Sequence, residues 1–133
     1  MPDKFSKEVR SKIMSSIRSK NTKPEITIRK MVWKEGKRYR INDGSVFGTP
    51  DISNKSKNLA VFIDGCFWHG CKRCYKEPKT NKKFWRRKIS RNQERRKLVR
   101  SRLRRQGVTI LQFWEHQVIS SPQTVASKIS THL

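Results

Sequence analysis

Leu59-Ala-Val-Phe-Ile-Asp64-Gly65-Cys66-Phe67-Trp68-His69-Gly70-Cys71-Lys-Arg-Cys74 runs from an unbroken apolar segment through an acid into every cysteine of the chain. The apolar part is continuous and partly β-branched, the pattern of a strand buried on both faces, and it predicts a strand over residues 58–63. The loop beyond Asp64 makes a poor apolar core, because Gly65, Gly70, Lys72 and Arg73 are interspersed with the thiols. Three cysteines is an odd number, and in a reducing compartment thiolates bound to metal are favoured over disulfides. The Cys66-x4-Cys71-x2-Cys74 spacing offers three thiolates, and the shorter step suits two ligands on one tetrahedral ion. A structural zinc site needs a fourth ligand. His116 fits if it ends a strand Ile110–His116 lying beside the one that feeds the loop; His69 is the alternative.

Outward from this loop the chain reads as alternating helices and strands. Ser6 caps a helix expected over about residues 7–19, with Val9, Ile13, Met14 and Ile17 on one side. Thr22-Lys-Pro-Glu25 has the form of a capping box opening a second helix that Gly36 ends. Residues 38–41 are expected to be extended, Asn42-Asp-Gly44 to form a hairpin turn, and Gly48-Thr-Pro-Asp51-Ile to start a short strand. A long basic helix is expected over residues 81–106, with Phe84, Trp85, Ile89, Leu98, Val99 and Leu103 as its apolar positions and Gly107 as its stop. A strand over 108–113 and a terminal helix opened by Ser121-Pro122 complete the order. Such an order implies an α/β domain with a central mixed sheet flanked by helices, and 133 residues suit one domain.

Charge narrows the function. With 33 basic against 10 acidic residues the net charge is +23, a field that favours a polyanion through release of its condensed counterions. Nucleic acid is the first candidate partner and a membrane surface the second. Apolar runs of about six residues fall short of the ~20 that span a bilayer, and Met1-Pro-Asp-Lys-Phe-Ser-Lys lacks the apolar core of a signal peptide, so a cytoplasmic, nucleoid-associated monomer with no membrane partner is expected.

Among so few carboxylates, three stand where chemistry would use them: Glu25 in the first turn of a helix, Asp51 after Pro50, and Asp64 at a strand end. Carboxylates on a sheet edge hold a divalent ion that neutralises a phosphate and activates water. Pro50-Asp51 followed by Phe62-Ile63-Asp64 is similar to the PD-(D/E)xK nuclease layout without its usual lysine. Read singly, each acid also has a bland explanation as a turn former or helix cap.

Taken together, Gly48-x-Pro-Asp51, Phe62-Ile-Asp-Gly-Cys-Phe-Trp-His69, Cys71 with Cys74, Lys79-Thr-Asn81 with Phe84-Trp85, Lys88-Ile-x-x-Asn92 and Phe113-Trp-Glu-His116 closely resemble the very short patch repair (Vsr) DNA mismatch endonucleases, from about Ser11-Lys-x-Met14 onward. The resemblance implies a restriction-endonuclease-like fold, catalytic magnesium, structural zinc, and nicking of double-stranded DNA 5′ to the thymine of a T·G mismatch left by deamination of 5-methylcytosine. It also implies a functional link to a cytosine-5 methyltransferase and to mismatch-repair proteins. Carried over by residue, Asp51 and the carbonyl of Ile63 would hold magnesium, His69 would activate or position water, and Glu25 matches an acid near the site. Asp64 stands where some members have histidine, and Arg96 replaces an acid found in some members. Cys66, Cys71, Cys74 and His116 would hold zinc. Phe67, Trp68 and Trp85 match residues wedged into the base stack, Met14 one inserted from the opposite groove, and Lys88 and Asn92 lie four apart on one helical face, within reach of base edges. The bland alternatives are a non-catalytic zinc module that binds nucleic acid and a related nuclease of different specificity.

Overall fold

The computed structural model describes residues 22–133; the expected helix over about 7–19, and Met14 with it, lie outside the described residues. The described chain runs α1 (Lys23–Lys34), β1 (Arg40–Ile41), β2 (Ile52–Asn54), β3 (Leu59–Asp64), α2 (Lys82–Arg105), β4 (Thr109–Trp114), α3 (Glu115–Ser120) and α4 (Pro122–His132). Four strands form one mixed sheet in the order β1-β2-β3-β4: the first two pairings are antiparallel, and β3 runs parallel to β4 from Leu59↔Thr109 to Asp64↔Trp114.

Strand alternation divides β3 between two layers. Leu59, Val61 and Ile63 join Ile52 and Phe113 in a core closed by Ile28 and Val32 of α1, Val118 of α3 and Val125, Ala126 and Ile129 of α4. Ala60 and Phe62 face the other way, onto Val99 and Leu103 of α2. All six residues of β3 are buried, as its unbroken apolar run requires, and Asp64 is the single charge among them. No helix among the described residues is long and apolar enough to cross a membrane.

Four local expectations change. Thr22 makes no side-chain cap hydrogen bond, so the capping box does not form as expected. β1 and β2 are joined by residues 42–51 rather than a tight Asn42-Asp-Gly44 hairpin, with Asn42 at φ 46° and Asp43 accepting from the Ser45 amide at 2.9 Å. Phe84 and Leu98 are 59% and 60% exposed, because a 24-residue helix overruns the narrow sheet and buries only Ile89, Val99 and Leu103. Finally, β4 stops at Trp114, whose amide donates to the Gln117 side chain at 2.7 Å, so His116 sits in the first turn of α3 rather than at a strand end.

Candidate active site

Asp51 lies at the head of β2, where its backbone is tied on both sides. Its N–H donates to the Val61 carbonyl at 2.9 Å, and its own carbonyl accepts from Asn42 at 3.3 Å. The side chain turns along β3, and Oδ2 accepts the Ile63 amide at 2.6 Å. Burial, with the neighbouring negative charge of Glu25 and then Asp64, lifts the Asp51 carboxyl to about 7 against the pull of the Ile63 amide and Arg96. Glu25 is itself 2% exposed in the first turn of α1, with Arg29 Nη2 3.3 Å from its Oε2. The Glu25 charge reaches Asp51, and carboxylate oxygens of this kind are the hard donors that a divalent cation takes.

Asp64 ends β3 on the α2 side, 1% exposed. Arg96 Nη2 donates to Oδ1 at 2.6 Å, and Arg96 Nε lies 3.0 and 3.2 Å from the two oxygens. The Gln112 amide donates to Oδ2, while Gln112 Oε1 accepts from Arg100 Nη1 at 2.8 Å. The Arg96 guanidinium also lies over the Phe62 ring, 4.0 Å from its centroid. His69 Nε2 stands 3.6 Å from Asp64 Oδ1. Burial, reinforced by Arg96 and opposed by Asp64, holds the His69 pKa below its usual value, which leaves a neutral imidazole suited to accept a proton at neutral pH. Asp64, His69, Arg96, Lys72, Lys97 and Arg100 all line one cavity of about 830 Å³.

The loop between β3 and α2 holds the second cluster. It winds tightly, with amides of His69 and Cys71 donating to the carbonyls of Gly65 and Cys66 at 3.1 and 2.9 Å. Gly70 has φ 60°, and a Cβ there would meet Ile89 and Gln93 of α2 at 2.7 Å, so glycine is needed both for its backbone angle and for the close approach. Two successive residues of α2 clamp the loop: Asn92 Nδ2 donates to the Trp68 carbonyl at 2.8 Å and Gln93 Nε2 to the His69 carbonyl at 3.0 Å. The donor atoms of Cys66, Cys71, Cys74 and His116 all lie within 4.8 Å of one another, with His116 Nδ1 3.3 and 3.5 Å from the sulfurs of Cys66 and Cys71. A tetrahedral zinc with bonds of about 2.3 Å to sulfur and about 2.0 Å to nitrogen has edges of about 3.5 Å, so this cluster could hold such an ion. Burial pushes the Cys66 thiol up to about 12, and a bound cation would supply the charge that lets it ionise. His69 is not one of the four; it faces Asp64 instead.

Beside the loop, Phe67 packs edge-on against Trp68 and Trp85, both at 5.3 Å, and tilted against Tyr75 at 5.9 Å. Phe84 extends the group from Trp85 at 5.1 Å. The Trp68 indole N–H is buried with no hydrogen-bond partner among the described residues, a state that calls for an explanation. Lys88 is exposed, whereas Asn92 is half-buried and its amide is committed to the loop. Sequence reasoning missed Gln112, Arg100 and Tyr75. Gln112 carried a signal, as the polar interruption in Ile110-Leu-Gln-Phe-Trp; the other two carried none.

A family profile described as DNA mismatch endonuclease Vsr matches residues 2–76. The chain belongs to the Vsr family. This Vsr-family chain is 43% identical to the type II nicking enzyme V.NmeDIP of Neisseria meningitidis serogroup C, over 96% of its own length and 87% of the relative's. It is 44% identical to the type II nicking enzyme V.HpaIIP of Haemophilus parainfluenzae, over 96% and 92%. To the DNA mismatch endonuclease Vsr of Escherichia coli strain K12 it is 36% identical, over 86% and 74%. Membership makes it a DNA endonuclease, with DNA as its substrate.

Proposed function

We propose that this protein nicks double-stranded DNA 5′ to the thymine of a T·G mismatch, in a single restriction-endonuclease-like domain with a catalytic magnesium ion and a structural zinc ion. The observation that carries the reading is the stretch from Asp64 to Cys74. It joins an imidazole facing an acid, two members of the aromatic cluster and the three cysteines of the Cys3His cluster on one short stretch at the end of β3, beside Asp51. Asp51 and the Ile63 carbonyl would hold magnesium, with Glu25 an acid close by; the ion would neutralise charge on the phosphate and make a bound water more acidic. His69 takes the proton of the attacking water through a neutral imidazole. Asp64, saturated by Arg96 and Gln112, orients His69 rather than binding metal. Phe67, Trp68 and Trp85 wedge into the stack beside the mismatch, with Met14 from the opposite groove; unstacking costs a few kcal/mol per step and least where pairing is already poor. Exposed Lys88 reaches toward the DNA. Asn92 holds the wedge loop in place of reading a base.

The relatives named as type II nicking enzymes favour a second reading, in which the same centre serves a different mismatch or site. Magnesium-dependent nicking of a labelled T·G duplex, run beside T·A and the other mismatches, distinguishes them. Nicking of T·G alone supports the first reading, and nicking of another mismatch supports the second. Binding without nicking of any duplex would leave only a zinc module that binds DNA.

A further inference from the structure

The expected nuclease layout lacks its lysine, yet a cation is built into this centre from the opposite layer. Arg96 reaches down from α2 to the end of β3 and uses Nε and Nη2 on Asp64, which is wholly buried. Gln112 occupies the remaining side of that carboxylate, and the Phe62 ring backs the guanidinium at 4.0 Å. The third nitrogen, Nη1, makes no hydrogen bond among the described residues. Arg96 lines the same cavity as His69, and its charge acts on both Asp51 and His69, so it stands near each of the groups assigned to the reaction. A guanidinium locked on one edge, with the other edge unpaired among the described residues, is preorganised: it meets developing negative charge without having to move.

We propose that Arg96 is a catalytic residue of this nuclease, anchored on Asp64 and presenting Nη1 to a non-bridging oxygen of the phosphate being cut. The inference rests on the reading of Asp51 and His69 as the nuclease centre. Asp64 then has one further task, as the seat of a fixed cation, and the arginine that replaces an acid in this chain is a replacement of function as well as of charge.

Removing Arg96 alone would strand a buried carboxylate, so the comparison is made on a background without one. Asp64→Asn keeps an oxygen that accepts from Arg96; Asp64→Asn/Arg96→Gln removes both charges. Both are assayed by single-turnover nicking of a T·G duplex with magnesium, beside gel-shift affinity for that duplex, thermal unfolding, and Asp51→Ala as a control. The double variant is expected to cut about 10²–10³-fold more slowly than Asp64→Asn, the loss typical of one preorganised donor, a loss larger than its fall in duplex affinity and without a lower melting temperature. Asp64→Asn itself is expected to cut more slowly than the wild type, because the carboxylate it removes also orients His69; equal rates in the two variants would overturn the proposal. A rate difference matched by an equal fall in melting temperature would reduce Arg96 to a structural role. If those results come with Asp51→Ala inactive, Arg96 alone has been misassigned; if Asp51→Ala cuts like the wild type, the whole centre has been.

Discussion

Asp51 accepts the Ile63 amide through Oδ2 at 2.6 Å, which ties the head of β2 to the penultimate residue of β3 while Glu25 presses a second negative charge toward it. Burial first, and then the Glu25 charge, raise the carboxyl from 3.8 to about 7 against the pull of that amide. A raised acid is protonated more readily folded than unfolded, so it lowers stability as pH climbs from about 4 through 7, by about 1.4 kcal/mol for each pH unit crossed. In magnesium-free buffer Asp51→Asn is expected to stabilise the protein by a few kcal/mol at pH 8. The gain should shrink below pH 7 and vanish near pH 4. Thermal unfolding of both proteins across that range checks it, and a gain independent of pH would mean that Asp51 is not the strained group.

The same residue separates binding from cutting. Removing a carboxylate from a strongly basic protein should if anything strengthen attraction for phosphate, so Asp51→Ala is expected to abolish nicking while T·G affinity stays equal or tightens. Single-turnover nicking beside a gel-shift titration gives both numbers. Wild-type cleavage by this variant would move the nuclease centre elsewhere.

Zinc, if bound by Cys66, Cys71, Cys74 and His116, joins the β3 loop to α3. Cys74→Ser or His116→Ala should lose bound metal and thermal stability together, because apparent binding energies on the order of 10 kcal/mol feed into folding. His69→Ala should keep its metal, since His69 faces Asp64 at 3.6 Å rather than the thiols, while nicking falls about 10²–10⁴-fold with loss of a positioned base. Metal content measured on the same preparations tests the division of labour between the two histidines.

Legibility of this fold in its sequence depends on the distance between partners along the chain. β3 and its loop are legible because an unbroken apolar run and every cysteine fall within one stretch, and local patterns suffice to see them. The seat of Asp64 is not, because Arg96 lies 32 residues and Gln112 48 residues from it; only the parallel pairing of β3 with β4 and the packing of α2 bring them together. His116 does gather with the three cysteines, but for a partly different reason. Its strand ends two residues earlier, where the Gln117 side chain takes the Trp114 amide and starts α3. Phe84 misleads in the other direction: helical spacing marks it as core, but the sheet beneath is too narrow to reach it, and it joins the aromatic cluster instead.

Trp68 tests the wedge. Its ring leans on Phe67 and Trp85, and its indole N–H has no partner among the described residues. Trp68→Ala is expected to weaken T·G binding more than T·A binding, because a wedge gains most where stacking is already poor. Equal losses on the two duplexes would assign Trp68 to packing or general affinity.

Asn92 decides whether α2 reads bases or holds the loop that does. Spacing sets Asn92 beside Lys88 as a base-edge reader, but its Nδ2 donates to the Trp68 carbonyl at 2.8 Å, and the next residue, Gln93, clamps the His69 carbonyl at 3.0 Å. One helical turn therefore fixes the backbone at both Trp68 and His69. A lost contact to a base costs about 1–3 kcal/mol and relaxes preference at one flanking position. A loosened loop instead misplaces Trp68 and His69 together, and a displacement of about 1 Å can cost about 10²-fold in rate. Asn92→Ala is accordingly expected to slow nicking and blunt the T·G over T·A preference by similar factors on every flanking sequence, with metal content unchanged. Lys88→Ala, which removes an exposed charge, should reduce affinity for all duplexes and lower the salt dependence. Single-turnover nicking on a panel of T·G duplexes varied one flanking pair at a time provides the measurement. A loss confined to one flanking pair would return Asn92 to the DNA surface and leave Gln93 alone to hold the loop.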